Sequence, residues 1–154
     1  MSGNFFLDTN VIVYSFDEDP KKEKIADAII AAALLSPVAV ISFQVIQEFC
    51  RLALRKFKSS FSTAELEVFC RSTLYPICKV YPSFELLDRA LHIYENHRIN
   101  YFDALIVSAA VEGRCKYLLT EDMNDGQTLE GVTILNPFSH EKRLLAALPQ
   151  LKLP

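Results

Sequence analysis

Apolar residues along this chain fall into two alternating kinds of segment. Short runs rich in β-branched and aromatic residues are separated by longer stretches with a helical period, the pattern of β-α alternation around a parallel sheet. The predicted strands are Phe5-Phe6-Leu7-Asp8, Val38 to Ile41, Ile77 to Tyr81, Tyr117-Leu118-Leu119 and Val132 to Leu135, the last at a sheet edge. Between the first two, Pro20 suits the opening turn of a helix through Ala26, Ile29, Ile30 and Ala33, which Pro37 ends. Ser42 can cap a second long helix carrying Gln44, Val45, Glu48, Phe49 and Leu52 and closing in Arg55-Lys56-Phe57-Lys58. Ser62 and Glu65 match a capping box, and Ser83 caps a helix through Leu86, Leu87, Ala90 and Ile93. Tyr101 to about Glu112 forms the next helix, with Gly113 expected just past its end, and Glu141 to Leu148 can form a terminal one.

The fold class expected is therefore α/β, a central parallel sheet of about five strands with helices on both sides. With 154 residues, no repeat and no linker-like stretch, one domain over residues 1–154 is expected. A hydrophobic content of 51% and only four glycines exclude disordered and low-complexity classes. The window from Ile25 to Ile41 is the most membrane-like, but Asp27 and Ser36-Pro37 interrupt it, so no span is expected. The four cysteines form no C-x-x-C pair and suit a reduced, cytoplasmic chain.

Chemistry enters through the acids. Ligand sites in open parallel sheets form at the carboxyl ends of strands, where Asp8 and Asp122 fall. Glu48 lies three residues after Val45 and four before Leu52, in line with packing residues. Asp103 precedes Ile106, Val107 and Ala110 on one helical stripe. Carboxylates on apolar faces are costly unless neutralised, and no matching set of lysines or arginines shares those faces. A divalent cation would neutralise them, and oxygen donors of this kind are what Mg²⁺ or Mn²⁺ prefer. Arg51, Arg55 and Lys58 recur as a basic stripe that can follow an RNA backbone, or simply a solvated helix end. The three histidines show no ligand spacing, and the glycines make no phosphate loop.

Phe6-Leu7-Asp8-Thr9-Asn10-Val11, Glu48 within a helix, Tyr101-Phe102-Asp103-Ala104-Leu105-Ile106, Thr120-Glu121-Asp122-Met123 and Asn136-Pro137-Phe138 occur in an order and spacing that resembles the PIN domain. More narrowly, the set is similar to the VapC-type ribonuclease toxins of toxin-antitoxin pairs. The resemblance implies a PIN fold and a metal-dependent endoribonuclease that hydrolyses RNA. Asp8, Glu48, Asp103 and Asp122 stand at the family's acidic positions, with Asn10 and Thr120 as supporting polar groups. It also implies a homodimer and a small cognate antitoxin, for which Phe57, Phe61, Leu66 and Phe69 are either a docking surface or core. The common toxin pattern has Phe where this chain has Asp125, which makes Asp125 a candidate further metal or water ligand. Two other readings compete. One is a PIN-fold binding module with an unused or covered site. The other is a haloacid-dehalogenase-like Mg²⁺ phosphatase, which fails because Asp8-Thr9-Asn10 lacks that family's second Asp.

Overall fold

Phe5, Phe6 and Leu7 are wholly buried because the strand that carries them, β1 (Asn4–Leu7), runs through the middle of the sheet. On one side it pairs in parallel with β2 (Ala39–Ser42), and on the other with β4 (Cys115–Leu119), with Leu7 opposite Leu119. The computed structural model describes residues 3–56 and 61–153. Its sheet has six strands. With β3 (Cys78–Val80), β5 (Thr128–Leu129) and β6 (Val132–Leu135), the order is β3-β2-β1-β4-β6-β5, parallel except for the β5–β6 pair.

The chain therefore lays down β1, β2 and β3 in one direction and then returns to place β4 against the free side of β1. This is a topological switch point, and the carboxyl ends of β1 and β4 open there into a crevice.

Helices α1 (Thr9–Val13), α2 (Pro20–Leu35), α3 (Phe43–Lys56), α4 (Thr63–Phe69), α5 (Phe84–His97), α6 (Tyr101–Glu112) and α7 (Glu141–Ala147) flank the sheet. Local chemistry sets their starts: Asp19 accepts from the amides of Lys21 and Lys22, Ser62 and Glu65 complete the capping box, and Ser83 accepts from Leu86 N at 3.1 Å. Ala104 through Ala110 in α6 are all buried, so that helix packs within the core rather than on its surface.

Three expectations are corrected. Val132–Leu135 is not the edge: β5 closes the sheet, joined to β6 by Glu130-Gly131, both at positive φ (50° and 82°), the two-residue hairpin geometry that matches strand twist. Gly113 ends α6 with an ordinary φ of −74°, and the left-handed residue is Arg114 (φ 54°). The glycine is needed for space instead, since a Cβ there would lie 2.8 Å from Val40 Cγ1. Leu87 does not join the inward face of α5 made by Leu86, Ala90 and Ile93; it faces outward.

Phe61 and Phe69 meet Phe16 edge to face (centroids 4.9 and 5.3 Å), Phe69 also meets Phe49 at 5.2 Å, and Leu66 is buried. These residues are core; Phe57 lies outside the described residues. The four cysteines are free thiols, with Cys50 and Cys70 in Sγ contact at 3.6 Å. Among the described residues, no helix is long and apolar enough to cross a membrane.

Candidate active site

The switch-point crevice is a cleft of about 390 Å³, and Asp8, Glu48, Asp103 and Asp122 all line it. Each arrives from a different element. Asp8 follows β1 and caps α1, Glu48 is in the second turn of α3, Asp103 is in the first turn of α6, and Asp122 follows β4. The strand register explains the closest pair: Asp8 N still bonds Leu119 O at 3.1 Å, which puts Thr120 beside the Asp8 side chain.

Asp8 is 6% exposed and held on both oxygens. Thr9 N donates to Oδ1 at 2.7 Å and Thr120 Oγ1 donates to Oδ2 at 2.8 Å. Its carboxyl is raised from 3.8 to about 6, chiefly by burial and further by the charges of Asp122 and Glu48, with these hydrogen bonds pulling the other way. Asn10 ties the floor together, its Nδ2 donating to Asp122 Oδ2 at 3.0 Å and to Thr120 Oγ1 at 3.1 Å. Asp122 N also donates to Thr120 Oγ1, at 3.1 Å.

Glu48 is oriented by two residues that sequence reasoning did not single out as functional. Thr9 Oγ1 donates to Oε2 at 2.8 Å and Gln44 Nε2 donates to Oε1 at 3.0 Å. Gln44 carried a signal in its position one turn before Glu48 on the same helix; the reach of Thr9 across to α3 is set by tertiary packing and left none. Asp103 accepts no hydrogen bond and makes no ion pair among the described residues. Burial, followed by the charges of Asp122 and Glu48, raises its carboxyl above the ordinary range.

None of the four acids pairs with a lysine, arginine or histidine among the described residues. Nor do they close into a cage, since no group of three His, Cys, Asp or Glu side chains forms a ready metal site there. An open all-oxygen set still fits a hard cation such as Mg²⁺, which keeps several waters and takes only one or two carboxylates together with a substrate's oxygens.

Other expected participants divide. Asp125 is not brought into the cleft: its carboxylate accepts from Arg143 and, at 2.7 Å, from Asn136 N, with His140 at 3.6 Å. Arg51 lines the cleft and Arg55 does not, whereas Lys56 does; Lys58 lies outside the described residues. On the rim, Tyr14 donates to Glu121, and Lys22 reaches both, at 3.2 Å to the Tyr14 hydroxyl and 3.4 Å to Glu121.

A family model described as PIN domain matches residues 5–124. No curated protein sequence matches significantly. Among solved structures, the chain is similar to a toxin-antitoxin complex from Klebsiella pneumoniae (TM-score 0.61, 18% identity, 84% of this chain and 96% of that one). It is similar also to VapC20 from Mycobacterium tuberculosis, described as a sarcin-ricin loop cleaving toxin (0.57, 15%, 84% and 99%). VapBC2 from Rickettsia felis, solved with a DNA fragment from its promoter, is a further neighbour (0.60, 18%, 86% and 97%). At these identities the likeness is one of fold.

Proposed function

The chain belongs to the PIN domain family, and on that premise we propose that it is a metal-dependent endoribonuclease hydrolysing RNA phosphodiester bonds in the acidic cleft, as the toxin of a toxin-antitoxin pair. The observation that carries this reading is the convergence of four carboxylates from four elements on one cleft, one of them buried, with no basic side chain paired to any of them among the described residues. Such a set is strongly destabilising unless protons or a cation neutralise it.

Asp8, Glu48, Asp103 and Asp122 are the residues that would hold Mg²⁺ or Mn²⁺. When bound, the ion supplies Lewis-acid stabilisation of the attacked phosphate and makes water a better nucleophile at neutral pH. Asp8 contributes a fixed anchor, because both its oxygens are already positioned. Thr9 and Gln44 hold Glu48 in one rotamer. Asp103, free of hydrogen bonds among the described residues and with raised proton affinity, is the acid suited to take the proton of the attacking water. Arg51 and Lys56 supply positive charge for phosphates on either side of the cleaved bond.

The partners that go with this reading are a second copy of the chain and a small antitoxin. The antitoxin would cover the cleft and offer it a basic side chain in place of the cation; one structural neighbour, from Klebsiella pneumoniae, is a toxin-antitoxin complex.

The test is a mixed RNA pool incubated with the purified chain. Cleavage is expected with Mg²⁺ or Mn²⁺, should stop with a chelator, and should return when the metal is restored. A folded protein that cuts nothing under any divalent cation would overturn the assignment. Replacing Thr9 by valine preserves shape while removing the hydroxyl that orients Glu48. Cleavage efficiency is expected to fall about 10–100-fold with the circular dichroism spectrum unchanged, as supporting residues of metal ligands usually show. An unchanged rate would deny Thr9 that role.

A further inference from the structure

Asp122 is the one acid of the four that neither sits in a helix nor caps one. Asp8 caps α1, and Glu48 and Asp103 lie in α3 and α6, where helical hydrogen bonds fix the backbone from which each side chain starts. Asp122 falls in the bend from Glu121 to Met123 that follows β4. An aspartate is short, so its carboxylate can serve a cation only if that bend is held. Asn10 supplies part of the hold: its Oδ1 accepts from Glu121 N at 3.4 Å, and its Nδ2 donates to Asp122 Oδ2 at 3.0 Å.

The rest of the hold comes through the side chain of Glu121, both of whose oxygens are occupied. Tyr14 Oη donates to Oε1, and Lys22 Nζ donates to Oε2 at 3.4 Å and to Tyr14 Oη at 3.2 Å. Tyr14 opens the 3-10 turn Tyr14–Phe16 directly after α1, so it moves with Thr9 and Asn10. Its ring meets that of Phe138 edge to face at 4.6 Å, and Lys22 Nζ lies 4.3 Å from the Tyr14 centroid and 5.7 Å from that of Phe138. Phe138 is set in turn by Asn136, whose Oδ1 accepts from Phe138 N at 3.0 Å. The Asn136-Pro137-Phe138 segment, which supplies no acid, thereby gains a place beside the cleft.

Lys22 sits in the first turn of α2, where the helix dipole disfavours a positive charge. What holds it there is the carboxylate and the two ring faces, in a setting where the Lys22 side chain is 34% exposed and that of Glu121 24%. From this we infer that Tyr14, Lys22 and Phe138 are positioning residues: through Glu121 they set the bend so that Asp122 faces the other three acids, and so they tune how tightly the cleft holds a divalent cation. The inference rests on the metal reading above and adds to it residues that themselves touch no cation. A lysine on the rim can also grip an RNA phosphate, but Glu121 already balances the charge of this one. The hydroxyl of Tyr14, which carries no charge to offer a phosphate, is aimed at the same carboxylate.

Calorimetric titration of the metal-free chain with Mn²⁺ alone tests the inference without RNA. Tyr14→Phe changes no charge and keeps the ring, yet should weaken Mn²⁺ binding about tenfold, the low end for groups that support metal ligands. Lys22→Met is the sharper case, because the two explanations differ in sign. Removing a positive charge from the rim of an acidic cleft would by itself tighten the cation. Loss of the brace predicts the reverse, a dissociation constant roughly threefold higher or more. Cleavage by both variants should fall at low Mn²⁺ and recover to within roughly threefold of wild type when Mn²⁺ is raised about tenfold, with KM for RNA unchanged. Variants that melt lower without metal but bind Mn²⁺ as wild type does would make the brace merely structural and overturn the inference, while leaving the metal reading intact. Tighter Mn²⁺ binding by Lys22→Met overturns it as well. So does an RNA KM raised more than ~10-fold in Lys22→Met with Mn²⁺ affinity unaltered, which would assign that lysine to phosphate. A wild type that binds no Mn²⁺ brings down the metal reading and the inference together.

Discussion

Replacing Asp8 by asparagine is expected to abolish RNA cleavage and, at neutral pH, to make the metal-free protein more stable. The two effects share one cause. In the folded chain the Asp8 carboxyl titrates near 6 instead of 3.8, because burial outweighs the hydrogen bonds it receives. The fold therefore prefers the neutral form. Relative to acid conditions, stability is fully present below about pH 4 and is lost as pH rises through 6. The gap amounts to about 3 kcal/mol. Asparagine removes that loss but cannot accept from Thr120 on its nitrogen side, which costs ~1 kcal/mol. A net gain of about 1–2 kcal/mol follows at pH 7.5, roughly 3–6 °C in melting temperature for a chain of this size. At pH 4.5 the gain should vanish or reverse. Activity should fall by more than ~100-fold, since Asp8 is proposed as a ligand and not a supporting residue. Thermal melts with chelator at the two pH values, read beside a cleavage assay with metal, check both halves. A variant that is inactive but no more stable at pH 7.5 would mean that Asp8 is not the strained acid described.

Adding Mg²⁺ or Mn²⁺ to metal-free wild type should raise its melting temperature in a pH-dependent way. Above pH 7 the carboxylates of the cleft confront one another, and the proton affinities of Asp8 and Asp103 are raised partly by Asp122 and Glu48. A cation that binds only the folded chain relieves this repulsion. At a hundred times its dissociation constant it contributes about 3 kcal/mol, a shift of roughly 5–10 °C. Near pH 4.5 the same addition should do little, because Asp8 is then protonated and metal must displace that proton. Asp8→Asn should lose most of the response even at neutral pH. A wild-type melting curve indifferent to both ions across the range would remove the metal site from the account.

Much of the cleft could be read from the chain because its ligands sit at places that sequence marks. Asp8 and Asp122 follow short apolar strands, and Glu48 and Asp103 interrupt helical stripes whose other members, Val45, Ile106 and Val107, are buried. The less legible parts depend on geometry between elements. Strand β5 has only two residues and a Glu130-Gly131 turn in place of the Asn-Gly or Asp-Gly that announces a hairpin. Asp125, three residues after Asp122, is a candidate through the family pattern alone, but Arg143 and Asn136 N claim its carboxylate. Leu87 fits the inward stripe of α5 by period but faces outward in the fold.

The return of β4 to the side of β1 also governs when the cleft can exist. The hydroxyl of Thr120 and the carboxylate of Asp8 are 112 positions apart in the chain, and only the parallel pairing of these two strands joins them. Pairings between such distant segments form late and cooperatively, after the loop-closure entropy of the intervening chain has been overcome. A growing polypeptide that has emerged only as far as α5 holds Asp8 and Glu48 but neither Asp103 nor Asp122. Ordered synthesis of the chain thus withholds the complete acidic set until β4 and the residues just after it have been made, a built-in delay for a protein proposed to cut RNA in the cell that translates it.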